Sequence, residues 1–189
     1  HLAKKYGGKK LPFVEKVKVQ IITESQPRWL NFQKGKVDYV AIPKDNFDQV
    51  VTPSKNLVGD MLEKGIELMV SPALDVTYTA FNHDEKLLQN KKLRQAMSLA
   101  YNIDEANKLF YNDTALPAQS IIPPGIAGHI EDYKNPYQGH GKKEQIEKAK
   151  KLLKQAGYPD GEGLPEISYD CPSTTVSRQI GDYFRRQMA

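Results

Sequence analysis

The hydrophobic positions of this chain repeat with two different periods. Between residues 92 and 104, Leu93, Ala96, Met97, Ala100 and Tyr101 recur at three- and four-residue spacing, which predicts an amphipathic helix with one buried face. Asp104 stands where a following helix begins, as its N-cap, and that helix continues over residues 105–111. Residues 143–156 repeat the helical pattern, with Ile146, Ala149, Leu152, Leu153 and Ala156 on one face and Gly157 as the stop. Ser173 or Thr174 can cap a last helix whose apolar positions are Val176, Ile180 and Phe184. Near the start, Pro27 opens a short helix carrying Trp29, Leu30 and Phe32, and Gly35 ends it.

Other stretches alternate with period two. Val17, Val19 and Ile21 are separated by Lys18 and Gln20, the pattern of a half-buried strand. Residues 37–42 predict a second strand, stopped by Pro43, and residues 66–70 a third, broken at Pro72. Residues 76–81 are rich in β-branched and aromatic side chains, and Ile167, Tyr169 and Cys171 share one face of a further strand. Residues 46–64 read as one helix and a loop punctuated by Pro53, Asn56 and Gly59. Residues 112–142 predict a long ordered loop, and Asp160-Gly161 marks a turn.

Composition narrows the function classes. The net charge is only +4, and Lys and Arg are interleaved with Asp and Glu, which argues for a solvated surface over a nucleic-acid footprint. The lysines of residues 142–154 follow the same logic: Glu144 and Glu147 interrupt them, so they read as the wet face of a helix. No apolar run is long enough to span a bilayer as a helix. The chain opens at His1 without Met, so we expect a segment internal to a longer protein, with any signal peptide outside it. Cys171 is the single cysteine, which excludes an intrachain disulfide and a cysteine-based metal cluster.

Catalytic and metal chemistry find little support. His1, His83, His129 and His140 show no paired spacing; His83 with Asp84 and Glu85, or His129 with Asp132 and His140, are weak cation sites beside a structural role. There is no Gly-x-Ser-x-Gly elbow, and no histidine lies near Cys171 in sequence. Pro123-Pro124-Gly125 and Gly128 are followed by no Gly-Lys-Ser/Thr, so they set turns and do not cradle phosphate. A buried or half-buried Arg94 in this helix would need a carboxylate partner, a structural reading we favour over ligand contact.

A set of short motifs connects these elements. Leu93-Arg94-Gln95-Ala96, Ala100-Tyr101-Asn102-Ile103-Asp104, Pro117-Ala118-Gln119-Ser120 and Pro123-Pro124-Gly125, in that order, resemble the central signature of the family 5 extracellular solute-binding proteins, the peptide and nickel receptors of ATP-driven importers. Gly35-Lys36-Val37-Asp38 resembles the family's Gly-x-Val-Asp step, and Tyr6-Gly7-Gly8-Lys9 its opening, with Tyr6 where tryptophan is commoner. One departure is Leu87-Leu88-Gln89-Asn90, where the family carries Pro-Phe-x-Asp; Asn90 can take over the capping.

The resemblance implies a partial fold of the periplasmic-binding-protein type II kind. Residues 1–72 would be part of lobe one with hinge-proximal strands, and residues 73–189 the opening of the second α/β lobe. It implies the substrate-binding component of an ABC importer, which captures oligopeptides or dipeptides in an interlobe cleft. No catalysis and no cofactor are implied, and the protein would be periplasmic or extracellular, membrane-anchored in some members. Its partners would be the peptide or small solute and a membrane permease, with no nucleic acid. Alternatives are a nickel-chelate or other small-solute receptor of the same family, and an α/β hydrolase or transferase domain. Asp75, Val76, Tyr78 and Asn82 would contact ligand, Asp75 toward an amino group and Tyr78 with ring and hydroxyl. Ala41 and Ile42 would form cleft wall on the other lobe, and no metal site is implied. Unfinished sheet margins lead us to expect some self-association of the segment.

Overall fold

The computed structural model describes residue 7 and residues 12–71, 73–139 and 141–189. His1, Tyr6, Gly8, Lys9, Pro72 and His140, each part of a reading above, lie outside the described residues. The chain separates into two compact units, residues 1–41 and residues 42–189.

The first unit is organised by helix α1, Ser25–Gln33. It begins two residues before Pro27, which occupies its first turn. Trp29 is buried, and its ring stacks on Phe32 at 5.6 Å. Gly35 ends the helix as expected: it adopts φ +66°, its N–H reaches Phe32 O at 2.9 Å, and the Lys36 N–H reaches Asn31 O at 2.9 Å. Those two bonds form a Schellman motif, which satisfies carbonyls that the helix end would otherwise leave bare.

The second unit holds α2 (Lys44–Val50), α3 (Gly59–Glu63), α4 (Lys91–Ala100), α5 (Ile103–Tyr111), α6 (Lys142–Gln155) and α7 (Thr175–Met188), with 3-10 turns at Lys86–Gln89 and Pro159–Gly161. Residues 46–64 thus hold two short helices instead of one, and Gly59 opens the second. A single antiparallel bridge, Val51 to Leu57, pinches the loop between them and buries both side chains. Gly65 and Gly157 stop α3 and α6 with the same bond pair as Gly35.

The core forms where α4 lies against α6 and both α4 and α5 meet α7. Leu93 (1% exposed), Ala96 and Leu99 are its α4 contribution and Ala149 that of α6, while Met97, Ala100 and Tyr101 are half-buried. The expected α4 face is therefore rotated slightly toward Leu99. Asn90 joins the two helices: its Oδ1 accepts from the Lys92 and Leu93 N–H groups, and its Nδ2 donates to Ala156 O at 2.9 Å. One side chain caps the start of α4 and the end of α6.

The strand-patterned stretches behave differently. Among the described residues the Val51–Leu57 bridge is the one β pairing, so no sheet is present and the expected α/β layering is not expressed. Val17, Val19 and Ile21 are exposed, Ile21 at 92%, as are Met69 and Val70. The physical reason is that a helix closes its hydrogen bonds within itself, whereas a strand closes them only on a neighbour. Residues 167–171 find apolar cover without a neighbouring strand: Tyr169 stacks on Phe184 at 4.7 Å, and both Tyr169 and the exposed Cys171 approach Gly181 of α7.

Candidate functional site

Asp75, Val76, Tyr78 and Asn82 lie along one irregular stretch, residues 73–82. Asp75 and Asn82 are exposed, Val76 is half-buried, and Tyr78 is 68% exposed. The Asn82 Oδ1 accepts from the Asp84 N–H at 3.1 Å, a local turn that ends the stretch. Leu74, one residue before Asp75, lies on the turn made by Pro123-Pro124-Gly125. A Cβ placed on Gly125 would come within 3.0 Å of Leu74 Cδ2, and Gly125 has φ +88°. The backbone angle favours glycine there, and an added methyl would press on the tip of the Leu74 side chain. Ala41, exposed, closes the first unit, and Ile42, half-buried, opens the second.

The signature residues serve mainly as internal fastenings. Arg94 does not find the carboxylate expected of it; its Nη1 donates to Leu88 O at 2.6 Å, because the 3-10 turn before α4 aims a carbonyl at it. Gln95 donates from Nε2 to Tyr137 Oη at 2.8 Å. Asn102, and not Asp104, caps α5, its Oδ1 accepting from the Glu105 N–H at 3.1 Å. Helix α5 starts at Ile103, which leaves Asp104 in the first turn, where a negative charge favours the helix dipole. At the other end of the chain Thr174, not Ser173, caps α7.

Gln119 is the hub of the long loop. Its Oε1 accepts from the Asn135 N–H at 2.9 Å, and its Nε2 donates to Gln138 Oε1 and Pro117 O. Gln138 returns a bond to Ala118 O at 3.0 Å, and Asn107 of α5 makes a two-way pair with Ala115. The expectation of a long ordered loop is met by this amide lattice, which periodicity could not display.

Tyr183 is the residue that pattern reading missed. It is 2% exposed, and its hydroxyl donates to Asn102 O at 2.9 Å and to Glu105 Oε2 at 3.0 Å. Its ring meets Tyr101 and Phe110 edge-on, each at 5.6 Å. The signal was available, since 176, 180, 183 and 184 form one helical stripe. Burial, followed by the Glu105 carboxylate, drives the Tyr183 phenol well above its ordinary range. Burial, together with the nearby Tyr111 and Tyr169, pushes Tyr101 up to about 12.

An open groove of about 380 Å³ beside this network is lined by Asn102, Asp104, Glu105, Lys108, Lys142 and Gln145. Lys142 Nζ stands 3.9 Å from Glu105 Oε2, and both groups are largely in water, so the pair is weak. The His129 Nδ1 donates to Ile122 O at 2.8 Å, which commits that nitrogen to the loop. Among the described residues no three His, Cys, Asp or Glu side chains are grouped to hold a metal, and no helix is long and apolar enough to cross a membrane.

The family model for bacterial extracellular solute-binding proteins, family 5 Middle, matches residues 3–189. The chain belongs to this family. It is a family of binding proteins, not of catalysts. Among its relatives is the glutathione-binding protein GsiB of Salmonella typhimurium (strain LT2), 31% identical over 191 residues, a match covering 98% of this chain and 33% of that protein. GsiB of Escherichia coli (strain K12) is 31% identical over 181 residues, covering 95% of this chain and 31% of the relative. The chain thus spans about a third of the length of the curated relatives it matches. No solved structure gives a significant match.

Proposed function

We propose that this chain is the middle portion of the substrate-binding component of an ABC importer, and that its ligand is a short peptide held without covalent chemistry. The observation that carries the reading is the family match over residues 3–189, together with relatives named for binding glutathione, itself a tripeptide. Residues 1–72 are assigned to one lobe and residues 73–189 to the opening of the second, with ligand captured in the cleft by hinge closure. The closed form is presented to a membrane permease, in the periplasm or at the cell exterior.

In this reading Asp75 pairs with a ligand ammonium, and Tyr78 offers an apolar ring and a hydroxyl. Val76 and Asn82 are assigned to ligand contact on the same stretch, and Ala41 and Ile42 to cleft wall on the other lobe. What supports these roles is that Asp75 and Tyr78 are open to solvent. An exposed tyrosine combines contact area with a polar handle, as binding surfaces commonly do.

The strand-patterned stretches fit a segment whose sheets are completed by further chain. On its own the 189-residue segment is expected to bind peptide poorly and to self-associate through exposed apolar margins such as Val17, Val19 and Ile21.

The test uses the full-length protein that carries this segment. It is screened by thermal shift and calorimetry against dipeptides, tripeptides including glutathione, and nickel chelates. A ligand that binds the native state raises its melting temperature, so short peptides are expected to give saturable stabilisation without turnover. Stabilisation by nickel chelates alone, or cleavage of the peptide, would overturn the reading.

A further inference from the structure

We infer that the Pro123-Pro124-Gly125 turn is a brace that positions the 73–82 stretch, with Gly125 and Leu74 as positioning residues for ligand binding. The inference rests on the proposal that this stretch borders the ligand.

The geometry begins at helix α4. Gln95 holds the Tyr137 hydroxyl, and the Tyr137 N–H is bonded to Asn135 Oδ1 at 2.9 Å. The Asn135 N–H in turn is held by Gln119. Next to Gln119, Ser120 Oγ donates to Ile122 O at 3.0 Å, and the same carbonyl accepts from the His129 ring. The Ile126 N–H closes the turn on Pro123 O at 3.3 Å, and the His129 N–H follows on Ile126 O at 3.1 Å. The turn is therefore fixed from both sides, and two prolines restrict its backbone further.

Beside this fixed turn lies the Leu74 side chain, 58% exposed, whose Cδ2 stands 3.0 Å from where a Cβ on Gly125 would be. The stretch 73–82 has no ladder hydrogen bonds of its own. Its location is thus set by whatever it touches, and Leu74 stands directly before Asp75. Three motifs of the sequence signature, those of Gln95, Gln119 and Gly125, then share one physical role. Together they carry a rigid helix's position out to a stretch that cannot hold itself.

The measurement is a double-mutant cycle on peptide affinity in the full-length protein, using the short peptide that stabilises it best. Gly125→Ala adds a Cβ against Leu74 and should weaken binding about tenfold, and Leu74→Ala should weaken it several-fold. In the double variant the shortened side chain makes room for the new methyl, so the loss should be no greater than that of Gly125→Ala alone. Gly163→Ala is the control: Gly163 also has a positive φ, +72°, but nothing lies within 4 Å of its Cβ position. That variant should lower the melting temperature and leave affinity unchanged.

Additive losses in the cycle, unchanged affinity in both single variants, or an equal loss in Gly163→Ala would overturn the brace and leave the peptide reading intact. A wild-type protein that no short peptide stabilises would overturn the peptide reading, and the brace with it.

Discussion

The helices α4–α7 and the strand-patterned stretches are equally apolar in pattern, yet they meet opposite fates. Leu93, Ala96, Leu99, Ala149 and Tyr183 are buried, whereas Val19, Ile21, Met69, Val70 and Tyr78 are exposed. Hydrophobicity does not separate the two sets. Local closure does: a helix reaches its packing partners already hydrogen-bonded, while a strand needs a second strand before its apolar face is of use. The GsiB relatives are about three times as long as this chain, and among the described residues the strand-patterned stretches find no strand partner.

The sharpest way to break this comparison is to trim one residue from each set. Leu93→Ala removes the most buried large side chain of the helical core and should cost about 3 kcal/mol or more in urea unfolding of the 189-residue chain. Ile21→Ala in the same chain should change stability by less than about 0.5 kcal/mol. If Ile21→Ala costs as much as Leu93→Ala, the exposed stretches are packed in solution and the contrast fails.

Next in size is the Tyr183 network. Tyr183→Phe deletes a buried hydroxyl bonded to Asn102 O and Glu105, and should destabilise by about 1–2 kcal/mol. It should also change the alkaline behaviour. Tyr101 and Tyr183 hold their protons more tightly folded than unfolded, so between pH 10 and about 12 the unfolded chain has lost protons that the native one keeps. Stability should therefore be constant up to about pH 10 and fall above it. Denaturation midpoints at about pH 9 and about pH 11.5 should show a smaller drop in Tyr183→Phe than in wild type. An equal drop would mean that Tyr183 titrates freely.

A finer test concerns Asn90, which serves two helix ends. Asn90→Ala should cost about 1 kcal/mol by loss of the cap alone. Asn90→Asp keeps the acceptor for the Lys92 and Leu93 N–H groups but has no donor for Ala156 O, so it should recover only part of that loss in thermal unfolding. Full recovery would show that the bond to Ala156 contributes nothing.

The smallest effect is expected at the surface. Glu144 and Lys148 form an exposed i,i+4 pair at 2.7 Å on the outer face of α6. Replacing Glu144 by Gln should cost no more than about 0.5 kcal/mol, and less in high salt. A larger, salt-insensitive loss would mean that the lysine-rich face is structured and not merely solvated.

What could be read from the sequence follows the range of the forces involved. Helix faces, the glycine stops at 35 and 157, and the Asn90 cap were legible because each is decided within a few residues. So was the family, because its motifs keep their order along the chain. The cap of α5 slipped from Asp104 to Asn102 because both residues can cap, and packing chose where the helix begins. Arg94 took a backbone carbonyl in place of a carboxylate because the turn before α4 brought one within reach.

The sequence by itself determined the local grammar: which stretches coil, where they stop, and which motifs mark the family. Only the tertiary structure decided that Tyr183 is the buried anchor, that Gln119 ties the long loop together, and that Gly125 lies beneath Leu74. Each of these joins residues tens of positions apart, or depends on the exact turn that brings a donor to an acceptor. Periodicity records one element at a time; where two elements meet is settled by packing and hydrogen-bond geometry in space.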